Sequence, residues 1–135
     1  MFSEQELAYL QTQRLARLAT VDASGQPTVD AVGFSLDGGQ VLIGTHSPVL
    51  SRKYKNVLAG NTQVALIIDD LSSIQPWRPR GIKIHGTAEV VERSGHFGPG
   101  RYIVITPTIS WSWGIERIRT GTSRRCSSST IRYAV

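Results

Sequence analysis

The sequence predicts a mainly β protein: an antiparallel barrel with one helix at its N-terminus and one helix after its third strand. Three observations predict it. Short β-rich runs follow one another, separated by tight-turn clusters such as Asp22-Ala23-Ser24-Gly25 and Asp37-Gly38-Gly39. Only two segments carry helix-start signals, too few to cover a parallel sheet on both faces. Sequential short strands joined by tight turns are the pattern of an antiparallel barrel.

The elements follow in order. Ser3-Glu4-Gln5-Glu6 is a capping box, a Ser oxygen for the N–H three residues on and a Glu that reaches back. It predicts a helix from Ser3 to Gln13 with Leu7 and Leu10 on the buried side. Leu15 to Val21 is a first strand. Pro27 opens a second, Thr28 to Leu36, and Gln40 to Thr45 is a third. His46-Ser47-Pro48 breaks the strand, and Ser51 to Ala59 reads as a helix with Gly60 just past its end.

Gln63 to Asp70 holds the apolar, β-branched run Val64 to Ile68 and predicts a buried strand. Leu71 to Arg80, with Pro76, Trp77 and Pro79, reads as a loop. Gly81 to Glu92 alternates, with Ile82, Ile84 and Gly86 on one face and Lys83, His85 and Thr87 on the other. Ser94 to Gly100 reads as a Gly/Pro-rich linker. Arg101 to Thr106 and Ile109 to Glu116 are two last strands. After Arg119 the chain turns polar, Ser-rich and aperiodic. Residues 1–116 are therefore expected to form one barrel domain, and 117–135 a polar tail, disordered or laid against a partner subunit.

Composition bounds the function. At 135 residues and 40% hydrophobic content, the chain suits one packed domain and not a disordered one. No apolar run approaches the roughly 18 residues of a membrane span. The N-terminus is acidic where a signal peptide is basic and then apolar. A cytoplasmic protein with no membrane association is expected. Cys126 is the single cysteine, which excludes an internal disulfide and a cysteine-based zinc site. The adjacent Asp69 and Asp70 point to opposite faces of a strand and mark its end, so no metal site is expected.

The formal net charge of +5 favours an anionic partner. The cations fall in three clusters: Arg52-Lys53-Lys55, Arg78-Arg80-Lys83 and Arg117-Arg119-Arg124-Arg125. In GTHSPVLSRKYKNV, Gly44 to Val57, a strand ends, a small polar loop follows, and a helix begins on Ser-Arg-Lys. Unpaired N–H groups at a helix start suit a phosphate. Thr45, Ser47 and Ser51 add hydroxyls. Arg52 offers a planar fork and Lys53 a point charge. A solvated basic helix start explains the same residues without a ligand.

Several segments together resemble the pyridoxamine 5′-phosphate oxidase-like proteins. They are LARLATVDASGQPTVDAVGF (Leu15 to Phe34), THSPVLSRKYKNV, GIKIHGTAEVV and ITPTISWSWGIE (Ile105 to Glu116). The nearer resemblance is to the actinobacterial branch of oxidoreductases that use F420, an 8-hydroxy-5-deazaflavin. WRPRGIKIHGTAEVVERSGHFGPG and SWSWGIE are similar to the subgroup related to a reductase of oxytetracycline biosynthesis.

The resemblance runs from about Ser3 to Glu116 and implies the split β-barrel of flavin reductases, a Greek-key barrel. It implies a homodimer with each cofactor in a groove between subunits. Thr45, Ser47, Ser51, Arg52 and Lys53 match the family's phosphate-binding stretch, with His46 beside it. Val32, Gly33 and Phe34 match the segment beside the tricyclic ring, where Gly33 permits close approach. Trp77, Arg78 and Arg80 match a loop that reaches the partner's site. Where the family often has proline, this chain has Ala31.

The function implied is hydride transfer from reduced F420 to an unsaturated small organic molecule. The alternatives are an FMN-binding oxidoreductase of the same fold and a non-enzymatic flavin or haem carrier. A nucleic-acid partner is not expected, because the aromatics stand apart from the basic clusters. No catalytic side chain is assigned. His85 is a strand-face residue, and His96 falls in the Gly/Pro-rich stretch. Trp111 and Trp113 share one strand face, as packing residues or as a wall of the substrate pocket.

Overall fold

A computed structural model describes residues 2–44, 51–95, 97–115 and 130–133. Its elements are α1 (Glu4–Thr12), β1 (Leu15–Val21), β2 (Pro27–Asp37), β3 (Gln40–Gly44), α2 (Arg52–Leu58), β4 (Gln63–Ser73), β5 (Arg78–Gly95), β6 (Gly98–Trp113) and β7 (Thr130–Tyr133). Every pairing is antiparallel. The strands run β3-β2-β1-β4-β5-β6-β7, and a further β3–β6 pairing closes the first six into a barrel. The expected β-barrel with one helix at its start and one after the third strand is thus the fold observed.

Inward side chains alternate with outward ones on each strand. Ala16 and Leu18 of β1, Val32 and Phe34 of β2, Val41 and Ile43 of β3, Leu66 and Ile68 of β4, Ile82 and Ile84 of β5, and Ile103 and Ile105 of β6 fill the interior. Burial of each branched side chain contributes roughly 1.5–3 kcal/mol. Tyr9 and Leu10 of α1 and Tyr54 and Val57 of α2 join the same core. The α1 capping box forms as expected: Ser3 Oγ accepts from the Glu6 N–H at 3.1 Å, and Glu6 Oε1 accepts from the Ser3 N–H at 2.9 Å.

Three stretches differ from the sequence expectation. The 71–80 loop shrinks to a turn at residues 74–77, because β4 continues to Ser73 and β5 starts at Arg78. That turn holds the cis peptide Gln75–Pro76. The Ser94–Gly100 linker is instead a tight hairpin in which Gly95 pairs with Gly98. Its glycines, with Gly98 at φ +86°, allow the reversal. The two last strands are one strand, β6. His85 pairs with Ile109 while Gly86 pairs with Pro107, so Thr108 is the extra residue of a bulge. The bulge absorbs Pro107, which has no N–H to give a ladder. The Thr108 hydroxyl donates to the His85 carbonyl at 3.1 Å. Within 117–135, the described residues 130–133 form β7 along Ile109–Ser112 of β6.

Candidate functional site

A cavity of ≈ 580 Å³ opens where the end of α1 meets β1, alongside β2. Its walls include Leu10, Gln13, Arg14, Gly33, Phe34 and Phe97. Alternation explains the β2 contribution. Val32 and Phe34 are 6% and 9% exposed and point into the barrel core. Gly33 between them faces outward, on the opposite side of the strand from those two side chains.

Gly33 does not stand open. A Cβ there would lie 2.9 Å from Cζ of Phe97, and one on Gly44 would lie 2.5 Å from Cδ2 of the same ring. Phe34 pairs with Ile43, which sets Gly33 and Gly44 side by side one residue on. The two glycines thus make a slot that the Phe97 ring fills from the tip of the β5–β6 hairpin. Tyr102, only 2% exposed, braces that tip. Its hydroxyl accepts from the Phe97 N–H at 3.2 Å and donates to the Gly98 carbonyl at 2.6 Å.

Ser51, Arg52 and Lys53 stand together at the start of α2, with Ser51 as its N-cap. Arg52 is exposed and Lys53 half-buried. The helix is fixed by Tyr54 and Val57 in the core and by Asn56, whose Nδ2 donates to the buried Thr20 hydroxyl at 3.0 Å. Asp22, in the β1–β2 turn, is held below its ordinary carboxylate value. Hydrogen bonds from the Ser24 side chain and the Gln26 backbone do most of this, and the charge of Arg52 adds to it. Thr45, His46 and Ser47 lie outside the described residues, as does His96.

Trp77 ends the β4–β5 turn and Arg78 opens β5, and Trp77 is 67% exposed. Arg80 takes a different position, with a fork of hydrogen bonds onto Asp70 and its guanidinium 5.0 Å from the Tyr9 ring centre. Gln13 ties this cluster to the cavity, since it lines the cavity and its Nε2 donates to Asp70 at 3.1 Å. Burial, together with the Asp70 carboxylate, pushes the Tyr9 phenol well above its ordinary value. The Tyr9 phenol therefore stays protonated at neutral pH and donates to Asp70 Oδ1 at 2.9 Å.

His85 packs edge-on against Trp111, with ring centres 4.8 Å apart, and Lys83 Nζ lies 4.5 Å from the Trp111 ring centre. Trp111 and Trp113 alternate with the buried Ser110 and Ser112, so both point away from the barrel interior. Trp113 covers Gly81. Sequence reading missed Phe97. The available signal was an aromatic at a Gly-flanked turn together with outward glycines on two strands.

Residues 2–106 match the family model for pyridoxamine 5′-phosphate oxidase. The chain is 38% identical over 122 residues to the 5a,11a-dehydrotetracycline/5a,11a-dehydrooxytetracycline reductase of Streptomyces rimosus subsp. rimosus, covering 85% of this chain and 84% of that one. Among solved structures, an F420 reductase superposes with TM-score 0.57 at 26% identity, over 73% of this chain and 89% of the other. A conserved hypothetical protein of Mycobacterium tuberculosis superposes with TM-score 0.66 at 22% identity, over 91% and 94%.

Proposed function

This chain belongs to the pyridoxamine 5′-phosphate oxidase family and is an oxidoreductase, and from that premise we propose that it uses reduced F420 to reduce an unsaturated small organic molecule. The single observation that carries this reading is the cavity at Gly33–Phe34. It is large enough for a ring system, has an aromatic wall at Phe97, and offers β2 backbone at its edge.

The residues present fit such a cofactor. Ser51, Arg52 and Lys53 at the start of α2, with Thr45, His46 and Ser47, would hold the phosphate. The backbone of Val32, Gly33 and Phe34 would meet the ring edge. When bound, reduced F420 supplies a hydride, and that chemistry belongs to the cofactor. The chain's part is orientation and exclusion of water. Leu10, Leu15, Leu36 and Phe97 give the cavity apolar walls, and Gln11, Gln13, Arg14 and Ser35 give it a polar rim. No His, Cys, Asp or Glu is among the described residues that line it.

We also propose that the active form is a homodimer, with Trp77 and Arg78 of one subunit reaching the other's groove. Exposed apolar residues support this: Leu15, Val29, Ile74 and Trp77 are between 57% and 74% exposed.

Titration with oxidised F420, followed by its fluorescence, tests the cofactor. Saturable binding is expected, and Arg52→Ala with Lys53→Ala weakens it at least about tenfold, two charge-assisted contacts being lost. Unchanged affinity in the double variant removes the phosphate assignment. Purification of a yellow protein with FMN bound favours the FMN-dependent alternative instead.

A further inference from the structure

We propose that Arg14 is a specificity-determining residue of the cavity, and that it selects a flat, unsaturated substrate carrying one ionised oxygen group, a carboxylate or an enolate. Among the described residues that line the cavity, Arg14 is the one charged side chain, in company with apolar Leu10, Leu15 and Leu36 and the neutral amides of Gln11 and Gln13. Elsewhere Arg17, Arg80, Arg93 and Arg101 each face a carboxylate at 3.8 Å or less. Arg14 is exposed, and its guanidinium makes no hydrogen bond or ion pair among the described residues. Its root is pinned from both sides, because Gln13 and Arg14 are the two-residue link between α1 and β1. The Gln13 N–H donates to the Leu10 carbonyl at 3.2 Å and its side chain donates to Asp70, while Leu15 pairs with Gly33. A planar guanidinium is weakly hydrated and matches a carboxylate or a conjugated oxyanion edge to edge. Apolar walls beside it weaken solvent screening, so the attraction is stronger than that of an ordinary surface pair. With no Asp or Glu among the described lining residues, nothing there repels an anion or competes for the guanidinium fork.

This inference rests on the reductase reading above, whose substrate class it narrows, and the test separates the two. Wild type, Arg14→Gln and Arg14→Lys are titrated with 2-naphthoate and with 2-naphthamide, flat molecules of one shape that differ in charge. Oxidised F420 is titrated in parallel, and thermal unfolding checks that each variant is folded. Wild type is expected to prefer the naphthoate about fivefold or more. Arg14→Gln should lose that preference by weakening the naphthoate alone, and Arg14→Lys should keep part of it. Arg52→Ala with Lys53→Ala should leave the preference in place. A solvated arginine with no ligand would leave naphthoate affinity unchanged in Arg14→Gln, and that result overturns the inference. So does a preference that disappears with Arg52 and Lys53 instead, or a wild type that binds no naphthoate. An Arg14-dependent preference in a protein that binds no F420 keeps the inference and removes the F420 reading.

Discussion

Asp70 accepts both prongs of the Arg80 guanidinium, from Nε at 2.7 Å and from Nη2 at 2.9 Å. The Tyr9 hydroxyl and Gln13 Nε2 also donate to it, at 2.9 and 3.1 Å. One carboxylate thus joins α1 to the β4–β5 pair beside the cavity. Side-chain exposures of 32% for Arg80 and 31% for Asp70 place the pair at the rim, where solvent weakens it but does not cancel it.

Asp70→Asn keeps the shape and removes the charge. It is expected to cost about 1–2 kcal/mol, the lower part of the range for hydrogen bonds to charged groups, because the site is partly wet. Chemical denaturation at neutral pH measures it. A loss below about 0.3 kcal/mol would mean that the network contributes nothing to holding α1.

The same carboxylate sets a pH dependence. The Arg80 fork, with help from Tyr9 and Gln13, lowers the Asp70 value below the ordinary 3.8 despite partial burial. A group lowered on folding stabilises the protein above its unfolded value and loses that contribution as pH falls through its folded value. The stability gap between wild type and Asp70→Asn is therefore expected to stay constant from about pH 7 to 5 and to shrink below about pH 4. Denaturation at a series of pH values reads the gap directly, and a gap that widens in acid contradicts the assignment.

Gly86→Ala tests the β5–β6 bulge. A Cβ at Gly86 would lie 2.5 Å from the Thr106 carbonyl oxygen, which is backbone and cannot swing away. The barrel must open locally or the bulge must shift. A loss of about 2 kcal/mol or more is expected, in line with overpacked sites. Thermal unfolding gives the answer, and a variant as stable as wild type would show that the bulge is free to move.

Leu15→Glu with Val29→Glu tests the dimer. Both residues are largely exposed and neither belongs to the buried core, so the fold is expected to survive. Light scattering should report a dimer for wild type and a monomer for the double variant. A wild-type monomer at micromolar concentration ends the dimer proposal.

The sequence by itself determined the barrel, both helices and the face of most strand residues. Those features come from local chemistry: the Ser3–Glu6 cap, the Asp37-Gly38-Gly39 turn, the alternation along Gly81–Glu92. Asp69 and Asp70 were legible as residues of opposite faces. They duly take different partners, Arg17 at 2.9 Å and Arg80. The resemblance to an F420-using oxidoreductase family was also carried by segments readable in order along the chain.

Tertiary structure decided the rest. Barrel closure through β3 and β6, the fusion of the last two strands around the Thr108 bulge, and the commitment of Arg80 to Asp70 all depend on the register of paired strands. So does the seat of Phe97 over Gly33 and Gly44, residues far apart in the sequence. Local propensity says whether a residue lies in a strand or a turn. It does not say which distant backbone will come within contact of its ring, because that is fixed only when the strands close.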